Sequence, residues 1–270
     1  MSHSDRVGRR IMDLGIEGRS AIVCGSSRGL GRACAIALAA EGVEVLVTGR
    51  TASDVEAATK EINLRNAGKA QGLCCDVTTA EGRGQIIAAM PNADILINNS
   101  SGPTPRAFLD VAEGDWALGV EQNMIAPLLL TRSLLPGMKD RGFGRIINIT
   151  SAMVTTPRPH MSLSSAPRAG LTAAMKAISL DVARYNITIN NLLPERIDTD
   201  RQVFMAHAAA KRENITFEEA RTRQVESIAA RRLGRPEEFG AACAFLCSDL
   251  AGYISGQNLH LDGGSYPALV

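Results

Sequence analysis

The sequence lacks an excess of either charge. Its 29 Lys and Arg residues against 28 Asp and Glu leave a formal net charge of +1, which gives no electrostatic footprint for nucleic acid or an anionic membrane. A small molecule is therefore the expected partner. No apolar run approaches the roughly 18 residues of a membrane span, and the N-terminal "MSHSDRVGRRIMDLG" has no continuous hydrophobic stretch of the kind a signal peptide needs. These absences predict a cytoplasmic protein. The six cysteines, at 24, 34, 74, 75, 243 and 247, include no CxxC pair and no paired metal spacing, so they are read as reduced core thiols. Cys243 and Cys247 share a helix face, but without a nearby His or further Cys no metal site is expected. Aromatics are scarce as well: the only tyrosines are Tyr185, Tyr253 and Tyr266.

What is present points to a packed globular chain. Hydrophobic residues make up 45% and charged residues 21% of the 270 positions, and no internal repeat, low-complexity tract or linker interrupts them. A single domain over residues 1–270 is expected, with 1–15 as an N-terminal extension and about 198–230 as a substrate-side insertion. Short β-rich segments alternate with stretches of helical periodicity. The segments are "SAIVCG" (20–25), "VEVLVTG" (43–49), "AQGLCCDV" (70–77), "ADILINN" (93–99), "GRIINITS" (144–151), "ITINNLLP" (187–194) and a final "QNLHLDGG". Right-handed crossovers then predict an α/β fold of the Rossmann type, a doubly wound parallel sheet with helices on both faces. Between strands, "GLGRACAIALAAEG" is a helix closed by Gly42, and "RPEEFGAACAFLCSDLAGYI" a helix opened by Pro236 and two acids.

The strongest local signal is "CGSSRGLGRACAIAL", which sets Gly25, Gly29 and Gly31 between the first strand and the first helix. Backbone N–H groups and the helix dipole can hold a pyrophosphate there. A side chain at Gly25 or Gly29 would obstruct the phosphates, while Gly31 lets the helix approach the sheet. Asp76, after the third strand, is placed to accept from an adenine amine. Asn98 and Asn99 end the fourth strand beside the same crevice.

With "CDV", "DILINN", Asn123 in "EQNMIAPLLL", "GRIINITS", "LLPERIDT" and "SGQNLHLDGG" following in order, the chain resembles the short-chain dehydrogenase/reductase family from about residue 16 to 264. The likeness is to its 3-oxoacyl-(acyl-carrier-protein) reductase-like branch. The resemblance implies a seven-stranded sheet of order 3-2-1-4-5-6-7, a nicotinamide dinucleotide and a homotetramer or homodimer. It places the cofactor on Gly25, Ser27, Arg28, Gly29, Leu30, Gly31, Arg50, Asp76, Val77, Asn99, Arg168 and Ile197. Charge selects the cofactor: an acid after the second strand would bind the free ribose hydroxyl of NAD, whereas Arg accommodates the 2′-phosphate of NADP. "VTGRT" supplies Arg50 and no acid, and Arg28 adds a second cation, so NADP is expected over NAD.

The catalytic region departs from the family. Its hydride-transferring members carry a Ser after the fifth strand, a Tyr thirteen residues on and a Lys four beyond that, with an Asn on the neighbouring helix. Ser151 and Asn123 match the first and last of these, but the Tyr and Lys positions hold Ser164 and Arg168. YxxxK has become SxxxR. An aliphatic hydroxyl is a weaker acid than a phenol and guanidinium stays protonated, so the usual proton relay is impaired. Tyr185 lies about 30 Å further along the helix and is no replacement. His160 is a candidate proton donor or a plain loop histidine, and Arg168 can hold the nicotinamide ribose, clamp a carboxylate or sit on the surface. "NNSSGP" and "PERI" stand where "NNAG" and "PG" are usual, which predicts a differently shaped floor and lip. Phe204 and Met205 read as a lid or as core packing. Three functions stay open: an NADP(H)-dependent oxidoreductase acting on a carbonyl or alcohol, an NADP(H)-binding sensor or regulatory protein without ordinary dehydrogenase activity, and a non-redox lyase or isomerase.

Overall fold

A computed structural model describes residues 12–65 and 68–269. Residues 1–11 of the expected extension lie outside the described residues. Where the extension ends, Leu14 packs against the core and its carbonyl accepts from the Asp249 N–H at 3.0 Å.

The strands are β1 (Ser20–Val23), β2 (Glu44–Gly49), β3 (Ala70–Cys74), β4 (Ile95–Asn98), β5 (Gly144–Ile149), β6 (Ile187–Pro194) and β7 (Asn258–Leu261). They form one parallel sheet in the order β3-β2-β1-β4-β5-β6-β7. Successive strand residues point to opposite faces, and both faces are covered. Val23, Ile97 and Ile149 belong to the core under α1 (Gly29–Ala40), α2 (Ala52–Arg65) and α9 (Pro236–Cys247). Ile22, Leu96 and Ile146 belong to the core under α3 (Ala80–Ala89), α5 (Ala126–Arg141) and α6 (Ser162–Val182). Burial on two sides is why these segments read as unbroken apolar runs rather than alternating ones. Several strands are shorter than the runs that announce them: β1 stops at Val23, β3 at Cys74 and β5 at Ile149. The remaining residues leave the sheet at its carboxyl edge, where the loops build the site.

Four asparagines tie that edge together. Asn98 Nδ2 donates to Asn148 Oδ1 at 2.9 Å, Asn148 Nδ2 to Asn191 Oδ1 at 3.0 Å, and Asn191 Nδ2 to Asn258 Oδ1 at 2.8 Å. The four occupy one register line across β4, β5, β6 and β7. A one-residue slip of any of these strands would break the line and leave buried amides unpaired, so the ladder specifies register as well as contributing stability.

Two proline-dependent features position the helices around the site. Between α4 (Glu113–Val120) and α5 the backbone winds as a π turn over Glu121–Ile125, and Asn123 sits inside it. Pro127 has no N–H to donate to the carbonyl of residue 123, four positions back, which frees the ladder at that point. Pro167 does the same to Leu163 within α6. Gly119 there approaches α6 so closely that a Cβ would meet the Leu163 carbonyl at 3.2 Å. In the polar run 199–227, α7 (Asp200–Glu213) and α8 (Phe217–Glu226) form and pack on each other.

All six cysteines are free thiols; five are buried, and Cys74 is exposed, which corrects its reading as a core thiol. It lies on β3, the edge strand. No helix among the described residues is long and apolar enough to cross a membrane.

Candidate active site

The glycine loop takes its shape from two left-handed residues, Gly25 with φ +55° and Gly29 with φ +59°. The side-chain amide of Asn99 donates to the Gly25 carbonyl at 3.0 Å and locks the turn against the end of β4. A Cβ on Gly31 would fall 2.4 Å from that carbonyl, so only glycine lets α1 start this close to β1. Gly31 therefore shapes the loop from behind, where α1 meets β1. Arg28 precedes α1 without a side-chain cap, and the first N–H groups of the helix stay available to an anion. A Cβ on Gly29 would meet nothing within 4 Å. The loop thus presents uncapped donors beside open space, and it fits a dinucleotide pyrophosphate.

From this loop a crevice of about 960 Å³ runs along the carboxyl ends of the strands. At its ribose end stand Ser27, Arg28, Leu30, Arg50, Asp76 and Val77. Arg28 pairs with Asp54, whereas Arg50 is exposed and has no ion pair among the described residues. Asp76 Oδ1 accepts from the N–H and hydroxyl of Thr78, at 2.9 and 2.8 Å, which fixes the carboxylate at the wall. Ile197 lines the opposite side, beyond β6.

At the other end the crevice meets Ser151, Ser164 and Arg168. The Ser151 hydroxyl accepts from the Met153 N–H at 3.2 Å, capping a short 3-10 turn after β5. Ser164 and Arg168 lie one turn apart on α6, and among the described residues the Ser164 hydroxyl has no hydrogen-bond partner. Arg168 is no surface arginine: it is 7% exposed, and its Nη1 donates to the carbonyls of Ile149 at 2.7 Å and Thr150 at 3.1 Å. Burial, and next the charge of Arg201, lower its pKa to about 10, so it stays cationic at neutral pH. Asn123 stands behind this end rather than on its wall. It is 2% exposed, accepts from the Ser100 hydroxyl at 3.2 Å and donates to the Gly119 carbonyl at 3.2 Å.

The remaining candidates are separated by position. His160 lines the crevice with a left-handed backbone of φ +66°, its carbonyl held by the Arg106 N–H at 3.0 Å. No tyrosine lines it: Tyr185 lies under Lys139 and Arg184, Tyr253 is exposed, and Tyr266 stacks on His260. Met205 faces the crevice, while Phe204 is 44% exposed beneath the Arg201 guanidinium. Sequence reasoning missed Arg201 on α7, whose Nη2 donates to the Pro103 carbonyl at 2.7 Å and which lines the same end. It also missed Glu195, which pairs with Arg158 at 3.3 Å and Arg196 at 3.4 Å to build the lip formed by "PERI".

Residues 25–266 match the family described as enoyl-(acyl carrier protein) reductase. The chain is 30% identical over 259 residues to the 3-oxoacyl-(acyl-carrier-protein) reductase FabG of Aquifex aeolicus, covering 94% of this chain and 100% of that protein. It is 32% identical over 256 residues to the NADPH-dependent reductase BacG of Bacillus subtilis, covering 93% and 99%. The crystal structure of L-sorbose reductase from Gluconobacter frateurii, complexed with NADPH and L-sorbose, superposes with a TM-score of 0.90 at 28% identity over 96% of this chain and all of that one. With sheet order, glycine loop and nearly full-length similarity in agreement, the chain belongs to the short-chain dehydrogenase/reductase family.

Proposed function

We propose that the protein is an NADP(H)-dependent oxidoreductase acting on a carbonyl or alcohol, with a rebuilt proton supply. One observation carries the reading: the uncapped glycine loop and the Ser151 and Ser164 hydroxyls share one crevice. The N–H groups at the start of α1 hold the pyrophosphate, and Arg50, with Arg28, receives the 2′-phosphate. Bound there, the cofactor supplies or accepts a hydride. Ser151 and Ser164 hold the substrate oxygen by hydrogen bonds, which orients the reacting carbon. Arg168 fixes the carbonyls at the end of β5 and keeps positive charge beside the oxygen as negative charge develops on it. We assign to His160, an exposed residue that lines the crevice, the proton transfer that a tyrosine performs elsewhere in the family. Five buried free thiols support a cytoplasmic setting. The shallow apolar surface of Leu128, Leu135, Pro136 and Ile178 on α5 and α6 supports a homodimer or homotetramer.

One observation favours a second reading, a cofactor-binding protein without turnover. Two of the donors of Arg168 are spent on backbone carbonyls, and no tyrosine reaches the crevice. Titration with NADPH followed by absorbance assays against a carbonyl panel separates the two. Turnover supports the enzyme. Saturable binding without turnover supports the binding protein, and no binding overturns both. The pair Ser164→Tyr with Arg168→Lys should raise hydride transfer if only the relay differs; unchanged rates would mean that the pocket itself is reshaped.

A further inference from the structure

Arg168 and Arg201 form an uncompensated pair of cations at the substrate end. A Cβ placed on Gly102 would lie 3.9 Å from Nη2 of Arg168 and 3.7 Å from Nη2 of Arg201, so both guanidinium edges converge on one point beside that glycine. Neither arginine has an acidic partner within 4.0 Å among the described residues. The acids on the crevice wall are engaged elsewhere or exposed. Glu195 pairs with Arg158 and Arg196, Asp54 pairs with Arg28, and Asp76 is held by Thr78. Asp200 is exposed at the start of α7.

The pair is built rather than incidental. Arg168 is held by the Ile149 and Thr150 carbonyls through Nη1, which leaves Nη2 as its crevice-side donor. Arg201 is tethered to the Pro103 carbonyl and backed by the Phe204 ring, 5.3 Å from its guanidinium carbon. Two desolvated cations side by side cost free energy that a bound anion offsets. Gly102, in the segment "SSGP", adds no side chain beside the two guanidinium groups, and all three residues line the crevice. A carboxylate in the crevice accepts from two guanidinium groups at once.

We infer that the substrate carries a carboxylate next to its reacting carbonyl or hydroxyl carbon, seated between Arg168 and Arg201 beside Gly102, so that the enzyme takes oxo acids or hydroxy acids. Ser164 lies one helical turn from Arg168, which places the reacting oxygen near the hydroxyls while the carboxylate occupies the arginines. The redox step balances with the cofactor already proposed: a hydride adds to the carbonyl carbon, a proton reaches the oxygen, and NADPH leaves as NADP⁺. Redox use of the site rests on the reading above; anion capture is measured separately from it.

The test is calorimetric titration of the full-length protein, saturated with NADP⁺, with 2-oxo-4-phenylbutanoate, pyruvate and the uncharged ethyl ester of each. Either acid should bind at least tenfold more tightly than its ester, and Arg201→Met should remove most of that preference while NADP⁺ affinity stays within twofold. Arg201→Lys should restore part of it. Equal binding of acid and ester, no binding of either acid to protein that holds NADP⁺, or an unchanged preference in Arg201→Met overturns the inference. Tighter binding of dihydroxyacetone phosphate than of both acids overturns the carboxylate assignment in favour of a phosphate. Failure to bind NADP⁺ at all counts against the proposed function and is read independently of the acid titrations.

Discussion

Arg168 donates to the carbonyl of Ile149 at 2.7 Å, so α6 is bolted to the last residue of β5, two residues before Ser151. Arg168→Ala leaves the acceptors of Ile149 and Thr150 buried and unmet, at about 1–3 kcal/mol each and partly offset by relief of the buried charge. The expected net loss is about 2 kcal/mol, read from the urea midpoint. A midpoint unchanged within error would mean that the brace carries no weight.

Cofactor preference should reside in Arg50 more than in Arg28, because Arg28 is already shared with Asp54. Losing one charge-assisted contact to a phosphate costs about 1.5–3 kcal/mol, or tenfold and more in affinity. Arg50→Ala should therefore lower the ratio of NADPH to NADH affinity by at least about tenfold. Fluorescence titration with both cofactors checks this, and an unaltered ratio would remove Arg50 from the 2′-phosphate site.

The asparagine ladder makes a prediction about stability alone. Asn148 is fully buried and serves both neighbours. Asn148→Leu strands an amide donor on Asn98 and an acceptor on Asn191, which should cost about 2–4 kcal/mol. NADPH affinity measured well below the melting temperature should change little. Thermal unfolding read by circular dichroism decides it, and a stabilised variant would show that the ladder is not needed to set register.

Thiol chemistry gives a pH dependence with a definite sign. Burial, and next the neighbouring Cys75, push the Cys24 thiol up to about 12, while burial and Cys74 push Cys75 up to about 11, from an ordinary 9.0. The unfolded chain releases these protons near pH 9, and the native chain retains them. Above that pH the unfolded state binds fewer protons, so stability falls. This contribution is complete below pH 9 and is lost as pH rises through about 11 and 12. At pH 8 in native protein one thiol, Cys74, should react rapidly with an aromatic disulfide reagent, the others only on unfolding. Two or more fast thiols would contradict the burial.

The strand and helix order was legible because the central strands, β1, β2, β4, β5 and β6, are buried on both faces and read as apolar runs. The glycine loop was legible too, since Gly25 and Gly29 need the left-handed backbone that only glycine takes freely. The two ends of the crevice were less so. Arg168 sits in a helix among small and polar residues, and nothing in that pattern says it points at the carbonyls of β5. Arg201 lies in a polar run that reads as solvated helix, and only the chain's return over the carboxyl edge turns it inward. Asn123 was assigned to the site on resemblance, yet the π turn seats it behind Ser100. The ladder escaped notice because Asn98, Asn148, Asn191 and Asn258 mean little singly; their alignment is a product of register.

Each of the first three ladder rungs stands within three residues of the crevice: Asn98 before Asn99, Asn148 before Ser151, Asn191 before Pro194. The floor of the site is thereby cross-linked sideways, strand to strand, by bonds in which α6 takes no part. Chemistry carried on that helix meets the cradle through Arg168 and the carbonyls of Ile149 and Thr150, so an exchange at that position is felt at the end of β5 while the strand-to-strand asparagine bonds stay in place.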